Sequence, residues 1–330
     1  MDYPIDIVIP WVDGSDPEWQ KEWRKAVCGD GQDNRVIRYR DWGILKYWFR
    51  GAEKFLPWVN KIHFVTWGHI PEWLNTDSEK IHIVKHSDYI PSEYLPVFSA
   101  NPIEMNFHRI DGLAEHFIYA NDDTFFISPL SADFFFKSGL PVDAAVQNVL
   151  QFSRKDGISH IVANDLTCIN LNFDKKTVMK ENRKKWFSFS YGKSLLQNLY
   201  LMPFTHFTGF VDPHLPYAYL KSTFAEVWEA CPDKLDMTCR HKIRSNEDVN
   251  QWLCRYWQFA KGQFEPGSLN RGRFFAIGAD DTEIESVLSN GSAPMVCLSD
   301  DDENLDFERE KEFLISCFEK ILPEKSQFEK

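Results

Sequence analysis

The amino-acid sequence predicts an α/β fold, a mostly parallel sheet with flanking helices. Three observations carry this expectation. Up to about residue 120, strand-like and helix-like segments follow one another in the order β-α-β-β-α-β, which calls for crossover helices. The apolar run His116-Phe117-Ile118-Tyr119-Ala120 reads as a buried strand that stops abruptly at Asn121-Asp122-Asp123. The 330 residues are 43% hydrophobic and 15% aromatic, enough to bury a substantial core.

Ile5-Asp6-Ile7-Val8-Ile9-Pro10 is the first expected strand, and Trp11-Val12-Asp13-Gly14-Ser15-Asp16-Pro17 is the turn that leaves it. Residues 41 to 55 carry aromatic and aliphatic side chains at helical spacing. Lys61 to Trp67 is a second strand with His63 on an alternating face, and Ile81 to Val84 is a third. Asn101-Pro102 opens a helix over residues 103 to 115; its apolar set Phe107, Ile110, Leu113, Ala114 and Phe117 is spaced 3, 3, 1 and 3 apart. The strand before Asn121 follows.

Ala144 to Val149 reads as a further strand. Residues 174 to 202 are basic and aromatic, either a mobile insertion or a solvated helix. Val249, Trp252, Leu253, Tyr256 and Ala260 share one face of a helix expected over 246 to 260. Lys261 to Arg273, with three Gly and a Pro, is a loop. Asp300-Asp301-Asp302-Glu303 is an acidic turn before a last helix over 306 to 321. No repeat or long linker divides the chain. A single domain over 1–330 is expected, with a ligand-binding core at 1–150, an insertion at 151–203, and residues 204–330 completing the site.

Adjacent carboxylates at a strand end repel each other unless a cation or a proton relieves them. The C-terminal strand ends of open α/β sheets are also where ligands bind. Asn121-Asp122-Asp123 therefore points to a divalent metal and a phosphate-bearing substrate; the plain alternative is a strand-to-turn junction. The turn Asp13-Gly14-Ser15-Asp16 lets backbone N–H groups approach a phosphate or base, and reads equally as a turn with a helix cap.

Glu104, His108, Asp111 and Glu115 fall on one face of the expected helix, with the end at Glu104 able to point at the site. Arg109 is either a phosphate contact or a surface ion pair. His206 and His214 lie in a Pro-rich stretch, and His is the natural proton shuttle near neutral pH. Arg244 precedes a helix start and suits an anion site, while Ser245 and Asp248 fit a capping-box variant.

The net charge of −12 argues against non-specific nucleic-acid binding. No run approaches the roughly 20 apolar residues that span a bilayer, and Met1 to Pro10 has no secretion-signal pattern. The seven Cys, with no C-x-x-C pair, read as reduced thiols of a cytoplasmic protein.

Four blocks together resemble the Stealth family of sugar-1-phosphate transferases, which includes bacterial capsular polysaccharide phosphotransferases and the catalytic part of the lysosomal-enzyme N-acetylglucosamine-1-phosphotransferase. They are IDIVIPWVDGSDPEW from Ile5; RYRDWGILKYWFRGAEKFLPWVNKIHFVTWG from Arg38 running on to NPIEMNFHRIDGLAEHFIYANDDTFF from Asn101; FTGFVDPHLPYAYL from Phe207 with HKIRSNEDVNQ from His241; and CLSDDDEN from Cys297 through the closing ILPEKSQFEK.

The resemblance implies a nucleotide-sugar-binding domain similar to GT-A glycosyltransferases. It implies transfer of a hexose 1-phosphate, N-acetylated in the favoured case, from a UDP-sugar to an acceptor glycan hydroxyl, forming a phosphodiester and releasing UMP. The matching catalytic residues are Glu104, Asp123, His214 and Arg244. Trp11, Asp13, Gly14, Asp16, Arg109 and Asn121 are the donor-binding candidates, and Asp122 with Asp123 would hold Mg²⁺ or another divalent cation. Residues 151–203 become acceptor-facing, and the partner would be an oligosaccharide or polysaccharide acceptor, with no nucleic acid. Capsule or exopolysaccharide synthesis would place the protein in the cytoplasm, with a peripheral position at a membrane-bound assembly complex left open. Two rivals remain: a metal-dependent glycosyltransferase releasing UDP, and a non-catalytic glycan-binding module.

Overall fold

The computed structural model describes residues 3–27, 39–152, 157–300 and 302–330. Arg38 and Asp301, named above, and Cys28, one of the seven cysteines, lie outside them. The strands are β1 (Ile5–Trp11), β2 (Ile62–Thr66), β3 (Ile81–Lys85), β4 (His116–Tyr119), β5 (Thr124–Phe126), β6 (Phe136–Lys137), β7 (Leu140–Asp143), β8 (Tyr217–Leu220), β9 (Glu265–Pro266), β10 (Arg273–Ala276) and β11 (Met295–Ser299).

The main sheet has the order β3-β2-β1-β4-β8. Its first four strands are parallel, and β8 runs antiparallel at the edge. The expected mostly parallel sheet with flanking helices is present. The chain moves outward from β1 through β2 to β3, then returns to place β4 on the other side of β1. That reversal opens a crevice at the C-terminal ends of β1 and β4, the place where open α/β sheets take ligands.

Both faces of the sheet are covered. Ile5, Ile7 and Ile9 pack with Trp48, Phe49 and Phe64 on one side; Val8, Phe117 and Tyr119 pack with Phe107 and Tyr219 on the other. His63 is therefore fully buried. Its Nε2 lies 3.0 Å from Asp6 Oδ2, and Asn60 and Ala114 also donate to Asp6 at 2.8 Å each. Burial would raise the Asp6 pKa, but these bonds outweigh it and hold the carboxyl below its usual value.

The first helix, Pro17–Ala26, starts where Asp16 caps the N–H groups of Glu18 and Trp19. Helix Leu45–Phe55 packs on β5 at Gly51, where a Cβ would stand 2.6 Å from the Phe126 carbonyl oxygen. This close approach fixes the strand that leaves Asp123. A smaller sheet, β10-β11-β5, packs beyond it, with β11 antiparallel to β5. The last helix, Phe307–Ile321, lies close to its expected span.

Three expectations are corrected. The helix over 103–115 is only Ala100–Met105, followed by a 3-10 turn at Phe107–Arg109. Asn106 turns its side chain back to the Pro102 carbonyl, 2.8 Å away, and Gly112 takes φ +70°. The apolar spacing thus marked buried residues rather than a helix, and Glu104, His108, Asp111 and Glu115 share no helical face. The strand over 144–149 lies earlier, at β7. In its place Asn198 satisfies the backbone, accepting from Gln147 N–H and donating to the Ala145 carbonyl. The helix over 246–260 begins only at Trp252 and ends at Lys261. Ahead of it, Val249 N–H donates to Thr238 Oγ1 and Asn250 N–H to Asp165 Oδ1, so the backbone is tied to other elements.

Candidate functional site

β4 ends at Tyr119, and the chain passes through Asn121-Asp122-Asp123 into β5. The turn is closed locally: Thr124 donates through its N–H and its hydroxyl to the Asn121 carbonyl. It is also gripped from β11, where Leu298 N–H donates to the Asp123 carbonyl at 2.9 Å. The turn expected of Asn and Asp is therefore present.

Asp123 Oδ2 lies 3.4 Å from His214 Nε2 and accepts from Cys297 Sγ at 3.5 Å. Asn121 Nδ2 lies 2.9 Å from the same His214 nitrogen; the amide NH2 donates, and the imidazole accepts when that nitrogen carries no proton. Asp123 Oδ1 is buried and has no hydrogen-bond partner. Such an acceptor is costly to leave unmet, and a cation would meet it. Ligand atoms of Asp123, His214 and Cys297 lie within 4.8 Å of one another. One carboxylate, one imidazole and one thiol fit a divalent ion, and the set favours a softer one than Mg²⁺.

Asp122 is outside that cluster. Its side chain reaches solvent. Crowding by protein around the turn, and the charge of Asp123, push its carboxyl up to about 7, with Asp41 adding to the effect. Burial pulls the His214 imidazole down, but its bond to Asp123 and the charges of Asp123 and Glu104 outweigh this, so its pKa is raised; Arg244 acts against them.

Glu104 sits beneath, buried in the short helix Ala100–Met105. Tyr119 Oη donates to Oε1 at 2.8 Å, and Gln251 N–H to Oε2 at 3.3 Å. Desolvation raises its pKa against these bonds and against the charges of Arg244 and His214. The start of helix Trp252–Lys261, expected to hold an anion beside Arg244, thus receives the carboxylate of Glu104. Ser245 and Asp248 do form the expected reciprocal turn: Ser245 N–H donates to Asp248 Oδ2 at 2.9 Å, and Glu247 N–H to Ser245 Oγ at 3.2 Å. That turn precedes the helix rather than capping it.

The His214 loop is fixed by a buried ion cluster. Arg255 donates to both Asp143 oxygens at 2.7 and 2.8 Å and to Asp212 at 2.5 Å. Tyr256 donates to the other Asp212 oxygen at 2.6 Å, and Tyr217 Oη to the Pro213 carbonyl. A cavity of about 360 Å³ begins at Asp212 and is lined also by Asn148, Leu150, Ile158, Gly209 and Trp252.

At the end of β1, Asp13 accepts from Ser15, and its N–H donates to His69 Nε2 at 2.8 Å. His69 Nδ1 lies 3.3 Å from Asp16. Gly14 is required sterically, since a Cβ there would stand 2.2 Å from the Tyr39 carbonyl oxygen. Trp11 packs against Phe64 and His69. These residues share the C-terminal edge of the sheet with Asn121–Asp123. Arg109 does not join them: its guanidinium is held by Asn106 at 3.0 Å and lies 4.9 Å from the Trp228 ring. His206 is exposed and outside the cluster as well.

The sequence alone did not indicate Cys297, His69, Tyr119 or the Arg255 clamp. Cys297 reaches Asp123 only because β11 pairs with β5 across 174 residues of sequence. β11 also carries on to Asp300, whose carboxylate lies 3.6 Å from Arg40.

Residues 3–30 match Stealth protein CR1, conserved region 1, and residues 38–142 match Stealth protein CR2, conserved region 2. The capsular polysaccharide phosphotransferase WcwK of Streptococcus pneumoniae is 40% identical over 329 residues, covering 99% of this chain and 98% of its own. The receptor polysaccharide phosphotransferase WefC of Streptococcus gordonii is 40% identical over 334 residues, with 98% of each chain covered. The exopolysaccharide phosphotransferase cps2G of Lactiplantibacillus plantarum is 37% identical over 332 residues, covering 99% of this chain and 97% of its own. Among solved structures, the galactosyltransferase LgtC with donor and acceptor sugar analogs aligns over 94% of this chain and 95% of its own, at 8% identity and a TM-score of 0.40.

Proposed function

The chain belongs to the Stealth family, and on that premise we propose that it transfers a hexose 1-phosphate from a UDP-sugar to a hydroxyl of an oligosaccharide or polysaccharide acceptor. The product is a phosphodiester, and UMP leaves. The observation that supports this most directly is the convergence at the end of β4: Asp123, with one orphaned buried oxygen, touches His214, while Glu104 and Arg244 act on His214 through their charges.

The acceptor oxygen attacks the sugar-linked phosphorus, and the bond from that phosphorus to the bridging oxygen of UMP breaks. The electron pair leaves with UMP. His214 takes the acceptor's proton at Nε2, the nitrogen that faces Asp123 and Asn121. Arg244 offsets charge on the transferred phosphoryl group. Glu104, buried and bonded to Tyr119 and Gln251, acts through His214 and Arg244 as a positioning residue.

Asp123, with Cys297 at hand, would hold a divalent cation, Mg²⁺ or a softer ion, leaving His214 Nε2 for the proton. When bound, such an ion offsets the negative charge of the donor pyrophosphate. The turn Asp13–Asp16 and Trp11 border the donor nucleotide. The cavity beside Asp212 takes the acceptor, so residues 151–203 form its outer wall in part.

The test is to incubate the protein with a divalent metal, a panel of UDP-sugars and an acceptor pool, and to identify the nucleotide formed. UMP that needs the acceptor supports the reading. UDP would mean cleavage of the glycosidic bond instead.

A further inference from the structure

The helix Leu195–Leu201 is apolar on its outward face as well as its inward one. Its inward face holds the buried Leu201, the half-buried Leu195 and the fully buried Asn198, which accepts from Gln147 N–H at 2.7 Å and donates to the Ala145 and Trp186 carbonyls at 2.9 and 2.8 Å. Its outward positions Leu196, Leu199 and Tyr200 are spaced i, i+3, i+4 and share one face. They are 56%, 46% and 78% exposed. A surface helix of a soluble protein normally turns polar side chains outward.

The neighbouring chain adds to the patch. Phe189, Met202 and Phe204 are exposed too, so six of the eleven exposed large apolar residues among those described fall within residues 189–204. Single exposed apolar side chains need no explanation, but a cluster of this density does.

Charge indicates what covers it. Residues 174–206 hold seven Lys and Arg against two acidic residues, in a chain of net charge −12. Lys176, Lys180, Arg183, Lys184 and Lys193 are exposed. A second copy of the chain, docked patch to patch, would bring two basic segments together. An anionic surface would attract this segment and repel most of the remaining protein.

We propose that residues 189–204 dock on an anionic lipid bilayer, with helix Leu195–Leu201 lying in the interface and the lysines meeting the headgroups. Among the described residues no helix is long and apolar enough to cross a membrane, so this face is a peripheral contact. It stands apart from the reading of the active site, yet adjoins it. The chain runs on from Phe204 to Thr208 and Gly209, which bond to Asn148 and Leu150 at the cavity wall.

The test is sedimentation of the full chain with vesicles of phosphatidylcholine alone, or mixed with phosphatidylglycerol, without any donor or acceptor. The protein is expected to bind the anionic vesicles, less so in high salt. The variant L196S/L199S/Y200S should lower the partition coefficient at least tenfold, with an unchanged melting temperature to show that it folds. The variant K176E/K180E/K184E should bind no better to anionic than to neutral vesicles. Failure of the native chain to bind anionic vesicles would overturn the proposal. So would equal binding by the serine variant, or a native dimer that this variant converts to monomer without any vesicle binding.

Discussion

Asp123 Oδ2 faces His214 Nε2 at 3.4 Å across 91 positions of sequence, while the other Asp123 oxygen is buried without a partner. One carboxylate thus ties the end of β4 to the loop before β8. On the proposed mechanism, Asp123→Ala loses the charge partner of His214 and the main metal ligand together. Turnover should fall by about 10³-fold, as several kcal/mol of lost charge stabilisation implies. Initial rates at saturating donor and metal, with a melting curve to show folding, check this. His214→Ala should cost about 10²–10⁴-fold.

Glu104→Gln separates charge from shape. Glutamine can still accept from Gln251 N–H and meet the Tyr119 hydroxyl, so the fold is kept. The charge acting on His214 and Arg244 is lost. The expected outcome is a lowered kcat with a shifted pH–rate profile and a melting temperature no lower than the native one. A normal kcat and an unshifted profile would limit Glu104 to a structural role.

Arg255 is buried with Asp143 and Asp212 on either side, and Asp212 stands two residues before His214. Removing the cation leaves two buried carboxylates uncompensated. Arg255→Met should therefore cost about 3–5 kcal/mol of stability, measured by denaturant unfolding. Arg255→Lys keeps the charge but not the two-pronged bond to Asp143, and should recover stability before it recovers kcat.

Asp165 is fully buried in helix Ile158–Asn172. One of its oxygens accepts from Asn250 N–H and the other has no hydrogen bond. Desolvation raises its pKa well above the ordinary value. Below the unfolded pKa near 3.8 both states are protonated, and no penalty exists. As pH rises above it, the unfolded chain releases a proton that the folded chain retains, so stability falls. Asp165→Asn should remove this slope, and its gain in melting temperature should be larger at pH 8 than at pH 4.

Cys297 brings sulfur to a site expected to hold a hard cation. By calorimetry, the native protein should bind Cd²⁺ or Zn²⁺ more tightly than Cys297→Ser does, with a smaller difference for Mg²⁺. Equal Cd²⁺ affinities in the two proteins would remove the thiol from the ligand set.

Much of the fold was legible because its signals are local. The runs from Ile5, Lys61, Ile81 and His116 became adjacent strands, and the carboxylates after Ala120 stand at the crevice beside β1. Helix limits were harder to read. Asn106 and Asn198 replace backbone partners with side-chain ones, and apolar spacing does not register that substitution. β8 and β11 were not foreseen, because pairing between distant segments leaves little trace in either one. Of the four catalytic candidates, Asp123 and His214 are in contact, and Glu104 and Arg244 act on His214 through charge. Arg109 stacks on the indole of Trp228, a contact that its sequence surroundings do not signal.

The identity of the released nucleotide tests the central claim most directly. Purified protein with a divalent metal, a UDP-N-acetylhexosamine and a polysaccharide acceptor should yield UMP, in equal amount to the phosphodiester formed and only when acceptor is present. UDP as the released nucleotide would contradict the account, since it would place bond cleavage at the sugar carbon rather than at phosphorus.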